Sequence, residues 1–340
     1  MKIESKLILA SKNAVTGVTL YTFVLTYPRV ILAEVNTHRM LSRNTASSRA
    51  IPSRKQRERV LNDPFIPVTI GQNRKGMQAG EELSGWRRTA AEKVWGFARY
   101  PNVFASWVLD KLGAHKQVVN RIVEPWTFTQ QVVSCTDLKN VFKLRNHKDA
   151  EPHFQILAKQ MQDQVEFAEK TFETINFDSR NPDGTACALE EVAPSRGVFR
   201  MQVLWPGYWG AGDEDWHLPF IDRHDEWRAV SLETQEKAAE YTRRIQCPVY
   251  KEPLLVGSAL NALKQVSAAR CARVSYFLPE SGKRSDIERD LELCKRLSSS
   301  GHMSPFEHVA QPVATDEYIG NFRSWKQYRK EFKDEAGGDR

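Results

Sequence analysis

Between Glu151 and Ile175 the apolar residues Phe154, Leu157, Met161, Val165, Ala168 and Phe172 return every three or four positions. That period lays them along one face of a single long helix. Near the start of the chain the pattern is different. Residues 6–27 alternate in the manner of two short strands, clearest in "VTLYTFVLT" with its β-branched and aromatic residues. Pro28 is placed to open a helix, because its missing N–H costs nothing at a first helical position. Residues 66–90 are rich in turn formers and read as an excursion. Residues 88–113 read as mixed helix, and the segment from His115 to Phe154 is broken once, at Pro125.

Further along, glycine, proline, tryptophan and aspartate dominate from Asp178 to Arg228, which predicts a long loop region with short elements. Helices are expected over Leu232–Ile245 and again leading into "SAARCARVSY". Ser285 with Glu288 makes a capping box for the next one. A short strand is expected in "EHVAQPV", and the tail "KDEAGGDR" should fray.

The chain has 340 residues, 41% hydrophobic and 27% charged, enough to bury a substantial core in one large domain or two ordinary ones. No run approaches the ~18 apolar residues of a membrane span. The apolar stretch in "MKIESKLILASKNAV" is too short for a secretory signal, so the expectation is a soluble cytoplasmic protein, in a host cytoplasm if virus-encoded. The five cysteines are scattered, odd in number and without a Cys-x-x-Cys pair, which argues against a disulfide scaffold and a structural zinc site. The net charge of +7 favours anionic partners: nucleotides, nucleic acid or acidic cofactors. Part of that excess sits in "SRKQRERV", which reads most simply as a solvated helix face.

Four constellations could carry chemistry. The run "NTHRMLSRNTASSRA", Asn36 to Ala50, gathers His38, Arg39, Arg43, Asn44, Ser47 and Arg49, offers little to a core, and suits a ligand with phosphates or carbonyls. In "FKLRNH" a cation, Arg145, follows an apolar stripe, where a structural ion pair is an equally good reading. In "NRIVEPW" an internal pair could explain both Arg121 and Glu124. The turn "GHMSPFEH" holds His302 and His308 without the spacing of a helical zinc site, so it reads as a ligand-contacting turn. Cys135 and Cys247 have no histidine close in sequence, and no glycine-rich phosphate loop is present.

Together these blocks resemble the flavin-dependent thymidylate synthases. Pro28 to Arg49 follows that family's Arg-His-Arg-x-x-Ser-x-Asn-x-x-Ser-x-Arg signature, with His38, Arg39, Ser42, Asn44, Ser47 and Arg49 in place. "CARVSY" and "GHMSPFEHV" resemble its other flavin-side block. "NRIVEP", "KLR" and "AEPHFQILA" resemble its pyrimidine-side block. The matching blocks span 28–50, 116–165 and 266–313. Their order is unusual, since the "ARVSY" block typically comes first, so the chain looks circularly permuted. It also departs from the family at Thr37, Thr45 and Ala50, at Ser134 and Thr136, and at Asp149.

The resemblance implies an α+β fold, a twisted and mainly antiparallel sheet flanked by helices. It implies a single catalytic domain over 1–332, with insertions at about 51–115 and 176–265 and a tail at 333–340. The implied activity is transfer of a one-carbon unit from methylenetetrahydrofolate to C5 of dUMP, giving dTMP, with FAD as cofactor and NADPH as reductant. Ser47, Ser48, Arg49 and Arg121 would hold the nucleotide, and Arg145 would bind it and serve catalysis. His38, Arg39, Asn44, Asn140, Ser275 and His308 would line the flavin. The family also implies a homotetramer, no metal, and neither a membrane nor a nucleic-acid partner. Two rival readings stay open: hydroxymethylation of dUMP or dCMP, and a basic nucleic-acid-binding protein without catalysis.

Overall fold

The computed structural model describes residues 2–76, 78–174, 190–192, 199–204, 206, 216–221, 253–274 and 287–332. Over these the chain is α+β. It opens with two ten-residue strands, β1 (Glu4–Asn13) and β2 (Thr19–Pro28), paired antiparallel through a turn in which Gly17 takes the left-handed φ of +71°. Pro28 closes β2 rather than opening a helix; a 3-10 turn over Arg29–Ile31 and the short α1 (Leu32–Asn36) follow it. The donor-rich run then becomes β3 (Ser42–Thr45) and a 3-10 turn over Ser48–Ala50.

Helices α2 (Ser53–Asn62), α3 (Gly85–Lys111) and α4 (Lys116–Val119) come next. The "SRKQRERV" run is a solvated helix face as expected, with Arg54 paired to Glu58 one turn on. Helix α3 touches the rest through a small cluster in which Trp95, Ala98 and Val103 meet Val60, Val123 and Trp126. Pro125 lies inside a 3-10 turn over Arg121–Trp126, after which β4 (Phe128–Cys135) and α5 (Lys139–Arg145) lead to α6 (Pro152–Thr174), the long periodic helix. Beyond it are β5 (Glu190–Val192), β6 (Phe199–Leu204), α7 (Pro253–Val274) and α8 (Ile287–Ser299). The chain ends in β7 (Ala310–Pro312), the pair β8 (Tyr318–Ile319) and β9 (Phe322–Arg323), and β10 (Trp325–Gln327). The expected helix at Leu232–Ile245, the Ser285 cap and the tail 333–340 lie outside the described residues.

The six-stranded sheet runs β3-β4-β2-β1-β6-β5 and is antiparallel except for β1 against β6. Beyond β1 and β2, its strands arise where the sequence pattern names none: β3 in the donor-rich run, β4 within the segment broken at Pro125, and β5 and β6 in the region read as a long loop with short elements. One face is apolar. Leu7, Tyr21, Phe23, Leu25, Val133, Cys135 and Met201 pack there against Phe154, Leu157, Ala158 and Met161 of α6. A bulge at Ile8, between Leu7 and Leu9, adds one residue to β1 and returns Ala10 to this face. The opposite face carries Ser11, Thr22, Ser134 and Gln202, all buried beneath the C-terminal segment. A second core forms among Trp216, Leu218, Leu263, Val266 and Phe306 around α7 and α8. Asp290 of α8, fully buried, is held there by Arg270 and Arg273. No helix among the described residues is long and apolar enough to cross a membrane.

Candidate functional site

The short strand β3 organises the site, because alternate residues of a strand face opposite ways. Ser42 and Asn44 reach the C-terminal segment: Ser42 Oγ accepts from Gln327 Nε2 at 2.9 Å, and Asn44 Nδ2 donates to the Cys271 carbonyl at 2.8 Å. Ser304 Oγ donates to Asn44 Oδ1 at 3.4 Å. Arg43 and Thr45 turn the other way. Arg43 Nη1 donates to the Asn36 carbonyl at 2.6 Å, and Thr45 Oγ1 accepts from Gln131 Nε2 at 2.5 Å. Each half of β3 is thereby fixed to a different layer.

His38 and Arg145, far apart in sequence, meet directly. Arg145 Nε donates to His38 Nε2 at 2.8 Å and Nη2 donates to Thr37 Oγ1 at 3.2 Å. Its guanidinium lies 5.0 Å from the centre of the Phe154 ring, which also meets the His38 ring edge-on. A guanidinium can only donate, so His38 is an acceptor at Nε2 and carries its proton on Nδ1. Burial, with Arg145 and Arg43 adding repulsion, pulls the His38 pKa below its usual value. Arg145 has no carboxylate partner among the described residues, so the salt-bridged structural arginine is not what the fold builds. Its charge is left available to a ligand.

The second cluster centres on Glu124. Ser48, 1% exposed, donates its hydroxyl to Glu124 Oε1 at 2.5 Å, and Arg121 Nη1 reaches the same oxygen at 3.0 Å. The internal pair expected in "NRIVEPW" is therefore present. Arg29 approaches Glu124 at 3.9 Å. Asn120 donates to the carbonyls of Ser48 and Ile51 at 2.8 and 2.9 Å, which locks the turn from inside. Ser47 caps that turn by accepting from the Arg49 N–H at 3.3 Å, and Arg49 itself is exposed. One carboxylate among several arginines leaves the turn electropositive.

The third cluster surrounds His308, fully buried at the end of the 3-10 turn Ser304–Glu307. Its Nδ1 is 2.9 Å from Ser134 Oγ, and its Nε2 is buried with no hydrogen-bond partner among the described residues. Burial drives its pKa down to about 3, so the ring is neutral. Ser134 continues to Thr22 at 2.6 Å, and Thr22 to His217 Nε2 at 2.7 Å.

The structure thus joins His38 with Arg145, Ser48 with Arg121 through Glu124, and Asn44 with the segments bearing Cys271 and Ser304, while Ser47 and Arg49 flank Ser48 in its turn. Arg39 is exposed, with no hydrogen bond or ion pair among the described residues. Asn140 is likewise exposed, near the start of α5. Ser275 lies outside the described residues. Burial pushes the thiols of Cys135 and Cys271 well up and Cys294 to about 12, the opposite of an activated nucleophile. No group of metal-binding side chains is found among the described residues. Sequence reading missed Asn120, Gln131, Thr22 and His217. The first two sit inside or beside recognised motifs, whereas His217 stands in a stretch with no motif at all.

What fold and site define is an α+β protein with an arginine- and hydrogen-bond-rich region beside its sheet. No family model matches the chain, and no curated protein matches it. Among solved structures it is similar to a UMP/dUMP methylase from Streptomyces cacaoi bound with 5-Br UMP, with TM-score 0.39 and 13% identity over 49% of this chain and 89% of that one. It is also similar to a flavin-dependent thymidylate synthase from Helicobacter pylori complexed with FAD and dUMP, with TM-score 0.30 and 18% identity over 43% and 67% of the respective chains. Likenesses of that depth do not by themselves define an activity.

Proposed function

We propose that the protein transfers a one-carbon unit from methylenetetrahydrofolate to C5 of dUMP, giving dTMP, with FAD as cofactor, NADPH as reductant and a homotetramer as the working assembly. The observation that carries this reading is convergence. Three sequence blocks resemble the flavin-dependent synthases, and each touches the other two: His38 meets Arg145, Asn44 meets the Cys271 carbonyl, and Ser134 meets His308. Unrelated motifs would have no reason to meet pairwise across such distances in sequence.

The residues present fit a large anionic ligand that carries carbonyl groups. Ser47, Arg49 and Arg121 on the electropositive turn would hold the nucleotide phosphate, with Ser48 and Glu124 bracing the turn from beneath. Arg39, Asn44 and His308 would contact FAD, and His38, Asn140 and Ser275 belong to the same assignment. FAD, when bound, supplies the redox chemistry of the transfer. C5 of uracil becomes nucleophilic as negative charge spreads onto the ring carbonyls, and a fixed cation lowers that barrier. Arg145 suits this task because its guanidinium is braced by Phe154 and His38 and is neutralised by no carboxylate among the described residues.

One experiment tests the reading. The protein is mixed with FAD and desalted, its visible spectrum recorded, and the product from NADPH, methylenetetrahydrofolate and either dUMP or dCMP weighed by mass spectrometry. The expected outcome is retained flavin and dTMP. Arg145→Ala should lower methyl transfer about 100-fold while changing NADPH oxidation without nucleotide far less. Folded protein that retains no flavin defeats the proposal; a hydroxymethyl product or turnover of dCMP alone would assign the rival reaction.

A further inference from the structure

The buried polar face of the sheet holds a continuous hydrogen-bonded row, and its direction can be worked out from one end. Gln202 Nε2 lies 2.6 Å from Ser11 Oγ and 3.3 Å from the Trp216 carbonyl. A carbonyl only accepts, so that atom of the side chain is the NH₂, an obligate donor. Ser11 therefore receives a hydrogen from Gln202. Its own hydrogen has one acceptor in reach among the described residues, His217 Nδ1 at 2.6 Å. With Nδ1 accepting, the ring hydrogen of His217 is on Nε2 and goes to Thr22 Oγ1 at 2.7 Å. Thr22 then donates to Ser134 at 2.6 Å, and Ser134 donates to His308 Nδ1 at 2.9 Å. His308 is left with its hydrogen on Nε2, buried and without a partner among the described residues.

The reverse direction is worse. It would strand the Ser11 hydroxyl hydrogen as well as the His308 Nε2 lone pair, two orphan groups in place of one. Register supports the row: Thr22 pairs with Ser134, and Ser11 with Gln202, so four strands present these groups on one face. His217 fills the diagonal step between Thr22 and Ser11, and its backbone is fixed by pairing with Ala310.

We propose that His308 Nε2–H is a ligand contact: a neutral donor, fixed in direction, for a carbonyl oxygen of the bound cofactor or substrate. Ser134, Thr22, His217, Ser11 and Gln202 are positioning residues that hold its tautomer. The identity of the ligand rests on the flavin and pyrimidine reading above, since both molecules carry ring carbonyls; the tautomer does not. A metal ion needs a lone pair at this nitrogen, and the row removes it. The opposite assignment at His38, a proton on Nδ1, shows that the two site histidines are set independently by their obligate donors.

The test is long-range ¹H–¹⁵N NMR on protein labelled at histidine, with His308→Asn used to assign the resonance. Spectra are taken alone, with FAD and with dUMP. The expected result is an Nε2–H tautomer at His308 in the free protein, and a downfield shift of that proton with one of the two probes, which identifies the source of the carbonyl. Thr22→Val should leave His308 averaging two tautomers and weaken the responsible probe about tenfold, and Thr22→Ser should restore both. Ser134→Ala gives the same reading should Thr22→Val fail to fold. An Nδ1–H tautomer at His308 overturns the row. A probe that binds without moving the resonance, or unchanged affinity in Thr22→Val, overturns the ligand contact and leaves an ordered water as the occupant. If neither FAD nor dUMP binds, the functional reading falls and the ligand contact with it, while the free-protein spectrum still decides the tautomer.

Discussion

The two faces of the sheet solve the problem of burial by opposite means. Toward α6, Tyr21, Phe23, Leu25 and Val133 meet Phe154, Leu157 and Met161, and the gain scales with area, without preferred direction. Toward the C-terminal segment, Thr22, Ser134, His217 and His308 are as deeply buried, but each must find one partner of the right polarity. The apolar face can lose an atom and keep its logic. The polar face cannot, because one missing hydroxyl frees the orientation of every group downstream. Burial toward α6 rests on area, and burial toward the C-terminal segment rests on matched polarity.

Three measurements would sharpen or break this contrast. The largest effect is expected on the helix face: Leu157→Ala, at a side chain with no exposure, should cost about 2–5 kcal/mol in urea unfolding while leaving the His308 tautomer in place. Loss of the tautomer there would mean that the faces are not separable.

Next comes acid. His308 takes up a proton at 6.5 when unfolded and only near about 3 when folded, so between those values the unfolded chain holds the extra proton. The contribution is fully present above the unfolded value and is lost as pH falls toward the folded one, on the order of 5 kcal/mol in all. His38, depressed for the same reason, acts in the same direction. His308→Asn should flatten the decline of the urea midpoint between about pH 7 and pH 4; an unchanged decline would place the acid sensitivity elsewhere. The smallest effect is expected at the rim of the apolar face. Tyr21→Phe removes the hydroxyl that donates to Glu169 and should cost about 1 kcal/mol.

Much of the helix face was legible in the sequence. The three-and-four spacing from Phe154 to Phe172 has one buried side to reveal, and "VTLYTFVLT", buried on both faces, was legible from its β-branched and aromatic residues. Strand β4, also covered on both faces, was not legible, because polar side chains fill much of its buried surface. Thr129, Gln131 and Ser134 are buried alongside Val132 and Val133, so no polar-apolar alternation survives. Strand β6 was hidden within a glycine-, proline- and tryptophan-rich stretch. At the site, the signature run announced its residue types but not their division of labour. Ser48 looks like its neighbour Ser47, yet burial beside Glu124 makes it a brace. His217 had no signal, since its role depends wholly on where the fold brings Ser11 and Thr22.

The polar row also sets a schedule. β1 and β2 are joined by a short turn, whereas Ser134 and His308 are 174 residues apart, Thr22 and His217 195, and Ser11 and His217 206. Closing a loop ten times longer costs about 2 kcal/mol more in chain entropy, and that cost precedes any contact that offsets it. The hairpin and α6 can collapse early from the first half of the chain. Gln202, His217 and His308 all arrive from the second half, so the ring nitrogen of His308 acquires its orientation only at the end of folding, and a newly made chain is compact before it is competent.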